Sequence, residues 1–288
     1  MLGAADIAGK AVLPAIVASN NGRLVAIASR EPQRARKMAE TFAGTQVADS
    51  YDALLANPGV DAVYIPLTNS DHKPWTLRAL SAGKHVLCEK PLAMNAAEAV
   101  EMAAAAERSG KHVMEAFMYR FNPRMKRFVE ALVDPLYVHA AFGFFLKGEA
   151  NFRFQAELGG GALLDVGCYV VSVSRWILGE PTHVFARSRR DHGVDMTTSA
   201  LLQFAGGQSA AVWGSFESAE EQNLTVVGRD GVQRLEQPFT LREEADPYRL
   251  MVESFADSIL RDQPVAIPIT ESIANMRVLD RIREAASG

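Results

Sequence analysis

The chain has 288 residues, 48% hydrophobic and 22% charged, enough to bury a substantial core in one large or two ordinary domains. Thirty basic against 34 acidic residues leave a formal charge of −4, and no basic block or aromatic-interleaved basic stripe points to nucleic acid. Cys88 and Cys168 lie in apolar segments without CxxC or Cys/His ligand spacing, which argues against a metal site and fits a reducing compartment. No apolar run approaches the roughly 18 residues of a membrane span, and the start lacks the charged-then-apolar layout of a leader, so the expectation is a soluble cytoplasmic protein.

In chain order, Met1-Leu2 run into Gly3, and Ile7, Val12, Ile16 and Val17 suggest a helix ending by Asn20-Asn21-Gly22. Residues 24–28 read as a short strand. A helix from Pro32 to Phe42 carries proline in its first turn. Residues 60–67 form a buried strand and 71–82 a helix ending at Gly83. The alternating His85-Val86-Leu87-Cys88 is a further strand. Asn95 caps an alanine-rich helix to Ser109, and residues 112–115 form one more strand. This βαβα rhythm predicts a doubly wound parallel sheet covered by helices on both faces.

After Phe117 the rhythm changes. Asn122-Pro123 opens a helix to about Leu132, and strands follow at 136–146, 182–189, 197–204, 209–216, 223–227 and 232–235, joined by short turns as in an antiparallel meander. A helix at 170–178 and two closing helices at 247–261 and 271–286 complete the chain. The expected division is therefore a Rossmann domain over 1–117, with an abbreviated first strand, and an α+β domain with a large, mainly antiparallel sheet over 118–288.

Four stretches carry candidate chemistry. Gly3, Ala4, Ala5, Asp6 and Ile7 sit where a phosphate-binding turn belongs, with alanine at the second and third glycine positions of G-x-G-x-x-G; alone this is a weak signal. At the end of the second strand, where NAD-binding folds place an acidic residue, stand Ser29-Arg30, with Arg34 and Lys37 following. A hydroxyl and guanidinium suit a 2′-phosphate, favouring NADP over NAD; the plainer reading is a solvated, charged helix start. Glu89-Lys90-Pro91 follows the 85–88 strand at its carboxyl end, where open α/β sheets bind ligands; by itself it also reads as an exposed charged pair before a proline turn. In Gly159 to Tyr169, Asp165 and Tyr169 lie four apart, on one face if a helix starts at Asp165. The alternative makes Asp165 an N-cap and Tyr169 a core aromatic. The preceding glycines let backbone come close to something.

Together these features resemble the Gfo/Idh/MocA family of NAD(P)-dependent oxidoreductases. The similarity spans nearly the whole chain: the turn at Gly3, Ser29-Arg30, PLTNSDH at 66–72, AGKHVLCEKPLA at 82–93, MEAFMYRFNP at 114–123, and GGGALLDVGCY at 159–169. The resemblance implies that Lys90 is the catalytic lysine. It also implies that Tyr169 is the proton-transfer group, where many members carry histidine in D-x-x-x-H, and that Asp165 positions a neighbouring hydroxyl or Lys90 itself. It further places Leu67, Thr68, Asn69, His72, Glu89, Lys90 and Arg153 at the cofactor. Tyrosine at 169 resembles the branch of xylose dehydrogenases, glucose-fructose oxidoreductase and dihydrodiol dehydrogenases, which use NADP. A tyrosine with an ordinary pKa of ~10 needs a cation beside it to act as a base at neutral pH; Lys90 is the expected cation.

The implied function is an NADP-dependent oxidoreductase, with NAD as the alternative cofactor, moving a hydride between nicotinamide and an alcohol or carbonyl carbon of a sugar or cyclic polyol. The alternatives are a carbonyl or dihydrodiol reductase of the same family and a non-catalytic NADP-binding protein. A homodimer or homotetramer through the second domain's sheet is expected, with no nucleic-acid or membrane partner. Against the family pattern, only Met1 and Leu2 precede Gly3, so two ladder edges of a central strand position are expected to be exposed. The connection from Phe239 to Pro247 is also short.

Overall fold

In the computed structural model, which describes residues 1–148, 151–242 and 245–287, the chain divides into two units. The first comprises Met1–Ala93, Ala97–Asn122 and Ala245–Ser272, so a segment near the end of the chain returns to the amino-terminal unit. The second comprises Met94–Ala96, Pro123–Glu244 and Ile273–Gly288.

In the first unit a helical segment begins at Asp6, passes through a π-helical turn at Ala8–Val12 and continues as α1 (Leu13–Ala18). Next come β1 (Ala26–Ile27), α2 (Pro32–Thr41), β2 (Gln46–Val47) and α3 (Tyr51–Ala56), the last capped by the Ser50 hydroxyl accepting the Ala53 N–H at 3.0 Å. Then β3 (Ala62–Ile65), α4 (Asn69–Ser81), β4 (His85–Cys88), α5 (Ala96–Ser109) and β5 (Val113–Glu115) alternate. β3, β4 and β5 are parallel and in order, with Ile65 opposite Cys88 and Cys88 opposite Glu115. Their residues are apolar on both faces because helices cover both, as the continuous Val-Tyr-Ile and Val-Leu-Cys runs require.

β1 and β2 form a separate parallel pair. Met1 and Leu2 link the two sheets: Leu2 bridges Ala28, its N–H donates to the Tyr64 carbonyl at 3.0 Å, and the Ala28 N–H donates to the Met1 carbonyl at 3.0 Å. At the central strand position Leu2 forms an isolated bridge.

β2 and α3 have no counterpart in the elements read from the sequence. The second unit adds α6 (Pro123–Glu130), β6 (Pro135–Phe145), α7 (Cys168–Leu178), β7 (Pro181–Asp191), β8 (Val194–Phe204), β9 (Ser209–Ser215), β10 (Glu217–Gly228) and β11 (Gly231–Glu236). α8 (Pro247–Leu260) lies in the first unit, and α9 (Ile269–Ala285) runs on into the second. The short Phe239–Pro247 connection includes residues 243 and 244, which lie outside the described ones.

The six-stranded sheet has the order β11-β10-β6-β9-β8-β7. Four of its five pairings are antiparallel, but β6 and β9 run parallel at its centre, so the sheet is mixed rather than a pure meander. The reason is that α7 and the long hairpin β7–β8 intervene between β6 and β9, returning the chain in the original direction. α7 packs on β6 and β9. A Cβ on Gly214 of β9 would lie 3.2 Å from the Gly167 nitrogen, so glycine there lets helix and sheet backbones approach. The helical stretch Ala156–Leu178 has the length and hydropathy of a membrane span, but 83% of its apolar window is buried within the protein, the signature of a core helix.

Candidate active site

Lys90 stands two residues after β4, at the carboxyl end of a parallel strand whose last residues, Val86 to Cys88, are buried. Three neighbours in the first unit hold the Glu89–Ala93 turn. Glu89 is buried and accepts the Tyr64 hydroxyl at 2.6 Å and the Lys90 N–H at 3.2 Å. Burial raises the Tyr64 pKa well above its ordinary 10, with the Glu89 charge acting in the same direction, so Tyr64 remains a neutral donor. Glu115, closing β5, accepts the Leu92 N–H at 2.8 Å. Burial pushes the Glu115 carboxyl up to about 7, against the opposing pull of the Leu92 amide and the Lys90 charge.

His72 on α4 is fully buried and bridges two carbonyls, Pro91 O at 2.8 Å from Nδ1 and Leu67 O at 3.1 Å from Nε2. Burial lowers its pKa to about 4, so at neutral pH it is uncharged and donates to one carbonyl at a time. His72 therefore ties the Lys90-bearing turn to the Leu67–Thr68–Asn69 turn. Thr68 is the N-cap residue of α4 and its hydroxyl donates to Asp71 Oδ2 at 3.3 Å; Asn69, first in the helix, is buried.

The Gly3 to Ile7 turn lies beside these elements. Gly3 has φ +100°, and a Cβ there would meet Leu67 Cδ2 at 2.6 Å, so only glycine fits. Beyond it, Asp6 and Ile7 begin the helix, where N–H groups lack intrahelical acceptors and can face an anion. Ala4 and Ala5 add no bulk beyond a methyl, and Arg34 Nη2 donates to the Ala4 carbonyl at 2.9 Å. The end of β1 presents Ser29, whose hydroxyl accepts the Glu31 N–H at 3.1 Å, and Arg30, 70% exposed at 3.4 Å from Asp71. Ser29, Arg30 and Arg34 thus cluster around the turn with no carboxylate at position 29 or 30. This donor set fits an adenosine ribose carrying a 2′-phosphate, and the turn fits a pyrophosphate.

In the second unit Arg153, on a 3-10 turn at Phe152–Phe154, grips Asp165 with two hydrogen bonds, Nε to Oδ2 at 2.7 Å and Nη2 to Oδ1 at 3.3 Å. The Asp165 charge, with its hydrogen bonds, keeps Arg153 firmly protonated, and Arg153 also interacts electrostatically with Tyr169. The helix here begins before Asp165, with a π-helical turn at Leu163–Gly167, so Asp165 is not an N-cap; a π-turn re-aims side chains along a helix. Tyr169 is mostly buried, its ring 5.5 Å from those of both Phe142 and Phe239. The glycine run approaches Arg153 and Asp195. A Cβ on Gly160 would lie 2.4 Å from the Arg153 carbonyl oxygen, and one on Gly161, at φ +109°, 2.2 Å from Asp195 Oδ1. Asp195 accepts the Leu163 N–H at 2.6 Å and so anchors the start of the helix.

The structure therefore groups Gly3–Ile7, Ser29, Arg30, Arg34, Leu67, Thr68, Asn69, His72, Glu89 and Lys90 in the first unit, and Arg153, Asp165 and Tyr169 in the second. The residues absent from the sequence reading are Glu115, Tyr64 and Asp195. A carboxylate at the carboxyl end of a strand beside β4 was the available signal for Glu115; Tyr64 and Asp195 act through partners 25 and 32 residues away. Among the described residues no cluster of three or more His, Cys, Asp or Glu is placed to hold a metal ion.

Residues 1–117 match the family described as an oxidoreductase family with an NAD-binding Rossmann fold, and residues 124–234 match the GFO/IDH/MocA C-terminal domain. Among relatives, the D-xylose 1-dehydrogenase (NADP(+)) 2 of Haloferax volcanii is 37% identical over 313 residues, covering 99% of this chain and 96% of its own. A 3-ketoreductase from Actinomadura kijaniata, solved with NADP and TDP-benzene, superposes with a TM-score of 0.88 at 29% identity, covering 99% of this chain and 96% of its own. An aldose-aldose oxidoreductase from Caulobacter crescentus superposes with a TM-score of 0.92 at 25% identity and the same coverage. The chain belongs to the Gfo/Idh/MocA family of oxidoreductases.

Proposed function

We propose that the protein is an NADP-dependent oxidoreductase acting on a sugar or cyclic polyol, at an aldose carbon such as C1. The observation that carries this reading is the constrained turn after β4: Tyr64, Glu115 and His72 fix the residues on either side of Lys90, at the ligand-binding end of a parallel sheet. The xylose dehydrogenase and aldose-aldose oxidoreductase relatives support the substrate class, and Ser29, Arg30 and Arg34 support NADP over NAD.

Oxidising an alcohol removes a proton from oxygen and a hydride from carbon, and the bound nicotinamide supplies the hydride acceptor. Lys90 binds the alcohol oxygen and stabilises the negative charge that develops on it. Tyr169 takes the proton. Within the second unit Arg153 also interacts electrostatically with Tyr169, and Asp165 holds Arg153 in place. Lys90 remains the expected cation for the tyrosine as well as the group on the substrate oxygen.

The exposed face of the second unit's sheet carries Phe185 and Leu201, 56% and 39% exposed, beside Trp213. This apolar patch supports a homodimer or homotetramer formed through the sheet. The two buried free cysteines support a cytoplasmic location. A panel of aldoses and cyclic polyols with NADP, followed by absorbance of the reduced cofactor, tests the reading; turnover with none of them, in either direction, refutes it.

A further inference from the structure

Glu115 ends β5 directly opposite Cys88, the last residue of β4, so the two side chains share one face of the sheet. Glu115 is only 2% exposed, and its Oε1 accepts the Leu92 N–H at 2.8 Å, two residues beyond Lys90. Between Lys90 and Leu92 stands Pro91, whose ring fixes φ and whose carbonyl is held by His72 at 2.8 Å, so a displacement of Leu92 passes to Lys90 through few soft torsions. The other oxygen, Oε2, makes no hydrogen bond of full geometry, and neither does the equally buried hydroxyl of Ser272 in the first turn of α9. That hydroxyl nonetheless stands near enough to Glu115 to lower its pKa, against the larger effect of burial.

This arrangement suits two charge states. An ionised carboxylate makes a charge-assisted bond to the Leu92 N–H, stronger than the bond a neutral acid makes. A proton added to the carboxyl goes to Oε2, because Oε1 faces a donor, and the Ser272 hydroxyl can turn from donor to acceptor to receive it. The charges around Glu115 oppose one another: Glu89 repels its negative charge and Lys90 attracts it. Cys88 on β4, Tyr64 on β3 and His72 on α4 remain largely uncharged between pH 5 and 8, because burial pushes the thiol and the phenol well above their ordinary values and lowers the imidazole to about 4. Glu115, raised to about 7, changes charge within that interval.

We propose that Glu115 is a positioning residue for Lys90: its ionised carboxylate, bonded to the Leu92 N–H, is the working state of the turn, and its protonated form, turned to Ser272, loosens it. This rests on the reading of Lys90 as the group at the substrate oxygen. With Glu115 ionised, the Leu92 amide is held tightly and a negative charge attracts the Lys90 ammonium; protonation removes both effects together. The consequence is a pH dependence that belongs to neither Lys90 nor Tyr169. In the direction of carbonyl reduction Tyr169 gives up its proton and contributes an alkaline limb, so the acid limb belongs to Glu115.

The test is nuclear magnetic resonance of the full chain, isotope-labelled at leucine nitrogen and lysine Cε, on wild type, Glu115→Gln and Ser272→Ala from about pH 5 to 9. In wild type the Leu92 amide and Lys90 Cε resonances are expected to shift together with one midpoint at about 7. The step vanishes in Glu115→Gln, which keeps an oxygen for Leu92, and Ser272→Ala moves the midpoint upward because the hydroxyl lowers it. Circular dichroism spectra identical to wild type establish that both variants fold. NADPH-dependent reduction of a panel of carbonyl compounds supplies the second readout: kcat for the best of them falls about tenfold or more between pH 7.5 and 5.5 in wild type, and less than about threefold in Glu115→Gln. Failure of every compound to turn over refutes the proposed function, and the resonance readout then decides on Glu115 by itself. A Leu92 or Lys90 resonance that does not titrate, a step that persists in Glu115→Gln, or an acid limb unchanged in that variant overturns the proposal.

Discussion

Replacing Glu115 with glutamine is expected to stabilise the protein progressively as pH rises from about 4 to 8. The carboxyl is buried against the Lys90 turn, and its pKa in the folded protein is pushed up to about 7 from an ordinary 4.5. The folded state therefore holds this proton over an interval where the unfolded chain has lost it, and stability falls as pH climbs through that interval. The distance from 4.5 to about 7 corresponds to roughly 3 kcal/mol, present in full above pH 7 and absent below about pH 4. Glutamine keeps an oxygen for the Leu92 N–H but cannot ionise. Any fixed penalty from its amide shifts the whole curve without changing the slope. His72 contributes with the opposite sign: its pKa is lowered to about 4, so stability is lost as pH falls from 6.5 towards 4. That contribution is common to both proteins and cancels in the difference. The assay is urea unfolding of wild type and variant between pH 4 and 8.5. A stability difference that stays flat across this range, or declines with pH, refutes the assignment of Glu115 as a buried, strained carboxylate.

Other expectations follow from single contacts. Arg153→Ala removes both hydrogen bonds to the Asp165 carboxylate; with Arg153 about one-third exposed, the loss is about 1–3 kcal/mol by urea unfolding, and Asp165→Asn in the same background recovers part of it. Gly161→Ala places a methyl group 2.2 Å from Asp195 Oδ1 at a positive φ, and is expected to lower the melting temperature by a shift corresponding to about 2 kcal/mol or more. Ser29→Asp is expected to move cofactor preference from NADP towards NAD by about tenfold or more, read as the ratio of dissociation constants, because a carboxylate repels a 2′-phosphate and accepts ribose hydroxyls.

The alternation of buried strand and amphipathic helix in residues 60–115 was legible because each strand there is a continuous apolar run bounded by glycine or a capped helix. β2 and α3 escaped because Gln46 and Val47 are both exposed and too short to show a period, while α3 has only six residues. The parallel pairing of β6 with β9 has no local signature: strand composition carries no record of direction, and only the packing of α7 and the β7–β8 hairpin between them decides it. The turn at Gly3, Ser29-Arg30 and Glu89-Lys90-Pro91 could be found because backbone geometry and charge restrict residue types over a few consecutive positions. Arg153 could be placed near the cofactor only by resemblance, and its pairing with Asp165 depends on a fold of the chain that brings the Phe152–Phe154 turn against the π-helical one. The glycines at 160 and 161 announced a close approach without naming its object, which is the Arg153 carbonyl and the Asp195 carboxylate.

The central claim is that Lys90 and Tyr169 perform the chemistry while other groups hold the cofactor. It is tested most directly by single-turnover kinetics of Lys90→Ala and Tyr169→Phe with NADP and the best aldose, alongside NADPH binding measured on the same samples. Both variants are expected to lose about 10²–10⁴-fold in the rate of reduced-cofactor formation while binding NADPH within a few-fold of wild type. Turnover at the wild-type rate in either variant, with binding intact, contradicts the account.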